Sequence, residues 1–169
     1  MEDISASAKL SKGGIYHYFD GKDDILESIL STFLDKVLEN AEEDLRDVAE
    51  PIDRIRAVIS RHVKTYSENT YAAKVLLHEA HNLPAGKLRK VKSKERRYFE
   101  TISGLLSSYQ GVGIDRAGLT VLTFNLLGMC NWIYSWYDPK GVVSPERLAE
   151  MIFETFTRGL SGVQGNAGE

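Results

Sequence analysis

Ile4-Ser5-Ala6-Ser7-Ala8-Lys9-Leu10-Ser11-Lys12-Gly13-Gly14-Ile15-Tyr16-His17-Tyr18-Phe19, followed by Gly21-Lys22-Asp23-Asp24-Ile25-Leu26, is the stretch that decides the fold. Residues 3 to 19 hold two short helices joined by a tight turn, and Ser11 can cap the second through its side-chain oxygen. Ile15 and Phe19 are spaced to pack one side of that second helix on a scaffold. Its first turn is small or polar, as a helix entering a DNA major groove requires. Gly13 and Gly14 each cost about 1 kcal/mol relative to alanine inside a helix. Close approach of backbone to DNA accounts for that cost, and so does an imperfect helix start. Tyr16 and Tyr18 also admit a reading as core aromatics of a small helical cap, although packing does not need an exposed Tyr-His-Tyr run.

Outward from this stretch, breakers divide the chain into helical blocks. Lys22 to about Val48 carries Ile25, Leu26, Ile29, Leu30, Phe33, Leu34, Val37, Leu38, Ala41 and Leu45 at three-and-four spacing. Asp23 and Asp24 lie in its first turn, where they complement the helix dipole. Pro51 opens the next block in the favoured first-turn position, with Ile52, Ile55, Val58, Ile59, Val63 and Tyr66 as its apolar stripe. Thr70 is placed to cap a shorter helix through Ala80, broken at Leu83-Pro84. A further helix runs from about Ala85 to Tyr109, with Gly111-Val112-Gly113 as its stop. Another spans about Asp115 to Tyr137, and Asp138-Pro139-Lys140-Gly141 turns the chain. Ser144-Pro145-Glu146 reads as N-cap and first helical turn of a last helix through Leu160. No segment has strand periodicity between turn flanks, so the fold class is all-α.

The composition agrees. The chain has 169 residues, 43% hydrophobic and 27% charged, with four prolines, as befits one or two small helical domains. A formal charge of −3 argues against a protein that coats nucleic acid through bulk charge, but not against a local contact surface. The single cysteine, Cys130, excludes an intrachain disulfide framework and suits a reducing compartment. Met1-Glu2-Asp3-Ile4 opens with acids rather than a basic region and an apolar one, so the cytoplasm is the expected location. Ala117 to Tyr137 carries no charge and is long enough to span a bilayer. Thr120, Thr123, Asn125, Asn131 and Ser135 within it suit a helix buried between protein surfaces instead. No membrane partner is expected.

The opening stretch resembles the TetR family of transcriptional regulators. The family pattern is a helix ending in an Ala-Gly-Val-Ser-like turn, then Gly-x-(Leu/Ile)-Tyr-x-(His/Tyr)-Phe-x-x-Lys-x-x-Leu. It is matched here at Ser11, Gly13, Ile15, Tyr16, Tyr18, Phe19 and Lys22, with the final apolar position displaced onto Ile25 and Leu26. The resemblance implies that Lys12 and Gly14 lie at base edges and that Tyr16, His17 and Lys22 bind phosphates. It also implies a complete first helix before this point, so that Met1 falls inside the second helix and the chain is N-terminally incomplete. Within residues 1–24, Lys9, Lys12 and Lys22 stand against Glu2, Asp3, Asp20, Asp23 and Asp24, a balance of −2 that disfavours phosphate binding.

By the same resemblance the rest of the chain dimerises and holds an effector. The implied domains are a partial helix-turn-helix over 1–26, a helical ligand-binding and dimerisation domain over 27–163, and a flexible tail over 164–169. The dimer would form through 115–137 and 145–160. The apolar residues of these helices are Leu119, Leu122, Leu126, Met129, Cys130 and Ile133 in the first, and Leu148, Met151, Ile152, Phe153 and Phe156 in the second. Filling a monomer core is the alternative for these residues.

Leu76 to Pro84, Arg96-Arg97-Tyr98-Phe99 and Leu127 to Pro139 look like the branch of this family that senses acyl-CoA thioesters. The candidate ligand residues are Arg89, Arg96, Arg97, Asn131, Trp132, Ser135 and Trp136. Trp132 and Trp136, one turn apart, share a face suited to an acyl chain or ring, or to core packing at a dimer seam. Lys87, Arg89, Lys90, Lys92, Lys94, Arg96 and Arg97 form a basic run fit either for coenzyme A phosphates or for a solvated helix face. His78-Glu79-Ala80-His81 is one residue short of the zincin spacing, and His62 could join it on one face, but no metal site is assigned. No nucleophile–base motif and no phosphate-cradling glycine loop occurs, so neither an enzyme nor a resident cofactor is expected. The expected function is a ligand-responsive, DNA-binding repressor of TetR type sensing an acyl-CoA or similar apolar effector. The rival is a helical dimer that binds a small molecule and no longer binds DNA.

Overall fold

The computed structural model describes residues 12–109 and 114–164, and every regular element among them is helical. The expectations placed on the first helix, on the Ser11 cap, on the Gly111–Gly113 stop and on the tail beyond residue 164 lie outside the described residues. The elements are α1 (Lys12–Tyr18), α2 (Lys22–Asp44), α3 (Pro51–Glu68), α4 (Thr70–Glu79), a 3-10 turn (Ala80–Asn82), α5 (Ala85–Ser108), α6 (Arg116–Asn131), a second 3-10 turn (Trp132–Ser135) and α7 (Pro145–Gln164).

The three-and-four stripe of α2 buries Leu30, Phe33, Leu34, Val37, Leu38 and Ala41. The helix ends at Asp44 rather than Val48, with Leu45, the last residue of the stripe to reach the core, as its C-cap. Asp44 itself is taken by Arg61 of α3, whose Nε lies 2.6 Å from its carboxylate. Pro51 is at the first turn of α3, as its missing N–H allows. This helix is the pillar of the molecule. It packs against α2, α5, α6 and, most extensively, α7, and it buries Ile55, Val58, Ile59, His62, Val63, Thr65 and Tyr66.

Thr70 does not cap α4 from outside but is its first helical residue, its hydroxyl donating back to the carbonyl of Ser67 at 3.1 Å. Asn69 holds the cap position, and its amide donates to the Thr65 carbonyl at 2.7 Å, joining the end of α3 to the start of α4. Asp115 caps α6 by accepting from the Gly118 N–H at 2.8 Å, and Ser144 Oγ accepts from the Arg147 N–H at 3.3 Å ahead of α7.

The helix expected to reach Tyr137 stops at Asn131 and tightens into the 3-10 turn, where Trp136 and Tyr137 both bond back to the Ile133 carbonyl. The tighter winding carries Ile133 into the core against α3 and α4 and leaves both tryptophans outside. No helix among the described residues is long and apolar enough to cross a membrane.

Candidate functional site

Five helices line an open cavity of about 510 Å³, within the range of small-molecule sites. Leu34 and Val37 of α2, Tyr66 of α3, Leu76 and Leu77 of α4, Phe99 of α5 and Phe124 and Leu127 of α6 give it a mostly apolar wall. Lys92, Glu95 and Arg96 of α5 bring charge to the lining, with Lys92 Nζ 2.6 Å from the Glu95 carboxylate. Tyr98 and Asn131 supply neutral polar groups on the inner side.

Behind that inner side His62 is only 3% exposed, stacked on Tyr66 with ring centroids 4.1 Å apart. Its Nδ1 is 2.8 Å from the Tyr98 hydroxyl. Burial pushes the imidazole pKa down to about 3, with hydrogen bonding to Asn131 acting in the other direction. The ring is therefore neutral at physiological pH. The Asn131 contact stops short of a complete hydrogen bond, so His62 Nε2 and Asn131 Oδ1 are both buried without a partner. Burial likewise raises the Tyr66 and Tyr98 hydroxyls, and it pushes the Cys130 thiol up to about 12, which makes that thiol unreactive.

The candidate ligand residues separate into two groups. Arg96 and Asn131 line the cavity; Arg89, Arg97, Trp132, Ser135 and Trp136 do not. The basic run is divided by the faces of α5. Lys87, Lys90, Lys94 and Arg97 turn to α2, where Lys87 pairs with Asp24, Lys90 with Glu27 at 2.9 Å, Lys94 with Asp35 at 2.6 Å and Arg97 with Glu42 at 3.2 Å. Arg89, Lys92 and Arg96, spaced by three and four, share another face, which continues into Phe99 of the cavity wall. Of the polar groups at or behind the cavity, the sequence marks Lys92 only as part of the basic run, and His62, Tyr66 and Tyr98 are not among the candidate ligand residues. The i, i+3, i+7, i+10 register through Arg89, Lys92, Arg96 and Phe99 is the signal for the first of them.

Trp132 and Trp136 are 61% and 60% exposed, so the slot expected between them is not part of the cavity. Each is flanked edge-on by a tyrosine, Tyr134 and Tyr137, and Ser135 donates to the Trp132 carbonyl at 2.8 Å. His62 of α3, His78 of α4 and His81 of the first 3-10 turn do not converge. His62 faces Tyr98, His78 Nε2 meets the Tyr134 hydroxyl at 2.5 Å, and His81 is exposed. Among the described residues no group of three or more His, Cys, Asp or Glu side chains gathers. Of the apolar residues expected at a dimer seam, Leu122, Leu126, Cys130, Ile133, Leu148, Ile152, Phe153 and Phe156 are buried within one chain. Val121, Phe124, Trp132, Trp136 and Met151 remain outside.

At the other end, α1 buries Ile15 and exposes Tyr16, His17 and Tyr18. Gly14 is half-buried and Lys22 is exposed at the start of α2, beside Asp23 and Asp24. The Lys12 side chain lies outside the described residues. Among the described residues, Ile15 is the buried apolar side chain of this short helix, and its polar aromatic side is exposed, with His17 and Tyr18 in edge contact.

The family model described as bacterial regulatory proteins, tetR family, matches residues 1–29. The model of the tetracyclin repressor-like C-terminal domain matches residues 48–160. The chain is 23% identical to the HTH-type transcriptional repressor KstR2 of Mycolicibacterium smegmatis (strain ATCC 700084 / mc(2)155), over 98% of this chain and 82% of that protein. A TetR-family transcriptional regulator from Bordetella parapertussis 12822 superimposes with a TM-score of 0.85 at 30% identity, over 91% of this chain and 81% of the other. AibR, in a crystal structure with isovaleryl coenzyme A and operator DNA, superimposes with a TM-score of 0.78 at 26% identity, over 90% and 84%. These relatives are regulators, not enzymes. The two models together cover most of the chain, from the exposed aromatic helix through the cavity, and the chain belongs to the TetR family of transcriptional regulators.

Proposed function

We propose that this TetR-family chain is an effector-responsive repressor that senses an acyl-CoA thioester, binding the acyl portion in the cavity of α2 to α6. The observation that carries the reading is an apolar cavity of about 510 Å³ with Lys92 and Arg96 on its lining. An acyl chain or ring is stabilised by burial against its wall, at about 25 cal/mol per Å² of apolar surface removed from water. Lys92, Arg96 and the neighbouring Arg89 offer cations to the phosphates of coenzyme A. The binding of isovaleryl coenzyme A by AibR supports the same chemistry here.

The working division is a DNA-reading part over 1–26 and an effector and dimerisation part over 27–163, with α2 running across the boundary. Tyr16, His17 and Lys22 would contact phosphates, with Lys12 and Gly14 at the bases. The chain would pair with a second copy through the outer faces of α6 and α7. The two recognition helices must then match major-groove half-sites one turn, about 34–36 Å, apart. An effector lowers operator affinity only if it binds better to the arrangement that does not fit that spacing.

The test is thermal melting with isovaleryl-, octanoyl- and palmitoyl-CoA, against coenzyme A alone. At a hundredfold excess over Kd, the binding free energy of about 2.7 kcal/mol raises the midpoint by roughly 5–10 °C. An unmoved midpoint with all three thioesters at millimolar concentration refutes acyl-CoA sensing. A gel shift with promoter DNA then separates the regulator from its rival. Acyl-CoA binding by a chain that never shifts DNA, even when extended at its N-terminus, would identify a small-molecule-binding dimer.

A further inference from the structure

We propose that Asn131 reads the carbonyl oxygen of the effector, its amide held in the donating orientation by a relay from Tyr98 through His62. The inference rests on the reading of the cavity as the effector site and adds to it which functional group the inner end selects.

The relay follows from the proton inventory of three side chains. A neutral imidazole has one N–H and one lone pair. Asn131 meets His62, and its Oδ1 is enclosed without a partner, although an enclosed carbonyl oxygen requires a donor. The group there is His62 Nε2, equally enclosed and equally unpaired. The proton therefore belongs on Nε2, aimed at Asn131, and Nδ1 keeps the lone pair. Nδ1 then accepts from the Tyr98 hydroxyl, 2.8 Å away. A small rotation of the Asn131 side chain completes the chain from Tyr98 O–H to Nδ1 and from Nε2–H to Oδ1. With Oδ1 turned to the ring, the Nδ2 edge of Asn131 is the one left for the cavity that Asn131 lines. It is a neutral donor in a largely apolar cavity, and its complement is a neutral acceptor on an apolar body. The carbonyl of an acyl thioester has that chemistry. Bonds along such a chain polarise one another, so occupation of the cavity also strengthens the two bonds behind it.

The discriminating measurement is calorimetric titration of the chain with isovaleryl-, octanoyl- and palmitoyl-CoA, each against the S-alkyl-CoA thioether of the same length. The thioether keeps chain, sulfur and coenzyme A and lacks only the carbonyl. Burying a carbonyl with no donor is unfavourable, so without this relay the thioether binds at least as tightly. With it, the thioester binds about tenfold tighter, the effect of one buried hydrogen bond. Asn131→Leu removes the donor and brings that ratio to one or below. Tyr98→Phe narrows the ratio, because Tyr98 acts through His62 as a positioning residue; a purely structural role would lower both affinities together. Equal or reversed affinities in the native chain overturn the inference and leave acyl-CoA sensing intact. An undiminished ratio in Asn131→Leu also overturns it. Binding of neither ligand class removes the acyl-CoA reading and this inference with it.

Discussion

Position 62 belongs to the apolar stripe of α3, yet it holds a histidine that is almost completely buried. Tyr66 faces the ring from its own helix, Tyr98 from α5 and Asn131 from α6. None of these brings a charge that would stabilise an imidazolium, so desolvation dominates and the folded pKa lies near 3, against an ordinary 6.5. The sign of the linkage follows. Between those values the unfolded chain binds a proton that the folded chain does not, so stability falls as pH drops below about 6.5. The slope approaches 1.4 kcal/mol per pH unit. Glu146 and Asp24 have carboxyls held below their ordinary values, Asp24 chiefly by Lys87, and they lose their contribution only at lower pH. The interval from pH 6.5 to 5 therefore isolates histidine. Denaturant unfolding at pH 7 and pH 5 is expected to cost the native chain about 2 kcal/mol more than it costs His62→Phe. An equal loss in both proteins would mean that the ring gains a proton without resistance.

Among the elements, α2 and α5 are joined by a ladder of four ion-paired rungs, Asp24–Lys87, Glu27–Lys90, Asp35–Lys94 and Glu42–Arg97. Most of these groups are partly exposed, so each rung contributes under about 1 kcal/mol, and the set serves register more than stability. It nevertheless couples the helix that lines the cavity to the helix that starts at Lys22, directly behind α1. The 3-10 turn after α6 separates packing from surface within four residues. Ile133 is enclosed, whereas Trp136 just beyond the turn is open to solvent. Ile133→Ala is expected to cost about 2–5 kcal/mol in denaturant unfolding. Trp136→Ala, despite deleting the larger side chain, is expected to stay within about 0.5 kcal/mol. The reverse order would mean that the indole, not the isoleucine, anchors this segment.

For the molecule as a whole, Val121, Phe124 and Gly128 of α6 and Trp132 of the 3-10 turn after it are exposed at three-and-four spacing. Phe124 touches Phe99 and Trp132 touches Tyr134, but the row stays largely exposed within one chain, and a twofold pairing is the commonest way to cover such a row. Gly128 offers a test confined to that face, because a Cβ added there meets nothing within 4 Å in the monomer. Gly128→Arg is expected to leave the helical content intact and to convert a dimer to a monomer in light scattering. An unchanged mass would place the dimer seam elsewhere.

The helix blocks, most of their boundaries and the family were legible from the chain itself, because they depend on local pattern. Three-and-four spacing, proline at first turns and serine or aspartate at caps are decided within a few residues of one another. The Gly13 to Lys22 signature is equally local. The cavity lining was legible only in part. Of the candidate ligand residues, Arg96 and Asn131 line the cavity, Arg97 pairs with Glu42, and the tryptophans, read as an acyl slot or as seam packing, are exposed. Which of seven basic residues on α5 stay free depends on where α2 places its carboxylates, some 60 residues earlier in the chain. Whether Trp132 and Trp136 look inward depends on the 3-10 winding that buries Ile133. His62, Tyr98 and Asn131 come from three separate helices, and no spacing along the sequence brings them together. Sequence alone determined the local elements, which follow from short-range propensity and pattern; only the packing of α2 to α6 decided the cavity, because its polar end exists where side chains of α3, α5 and α6 meet.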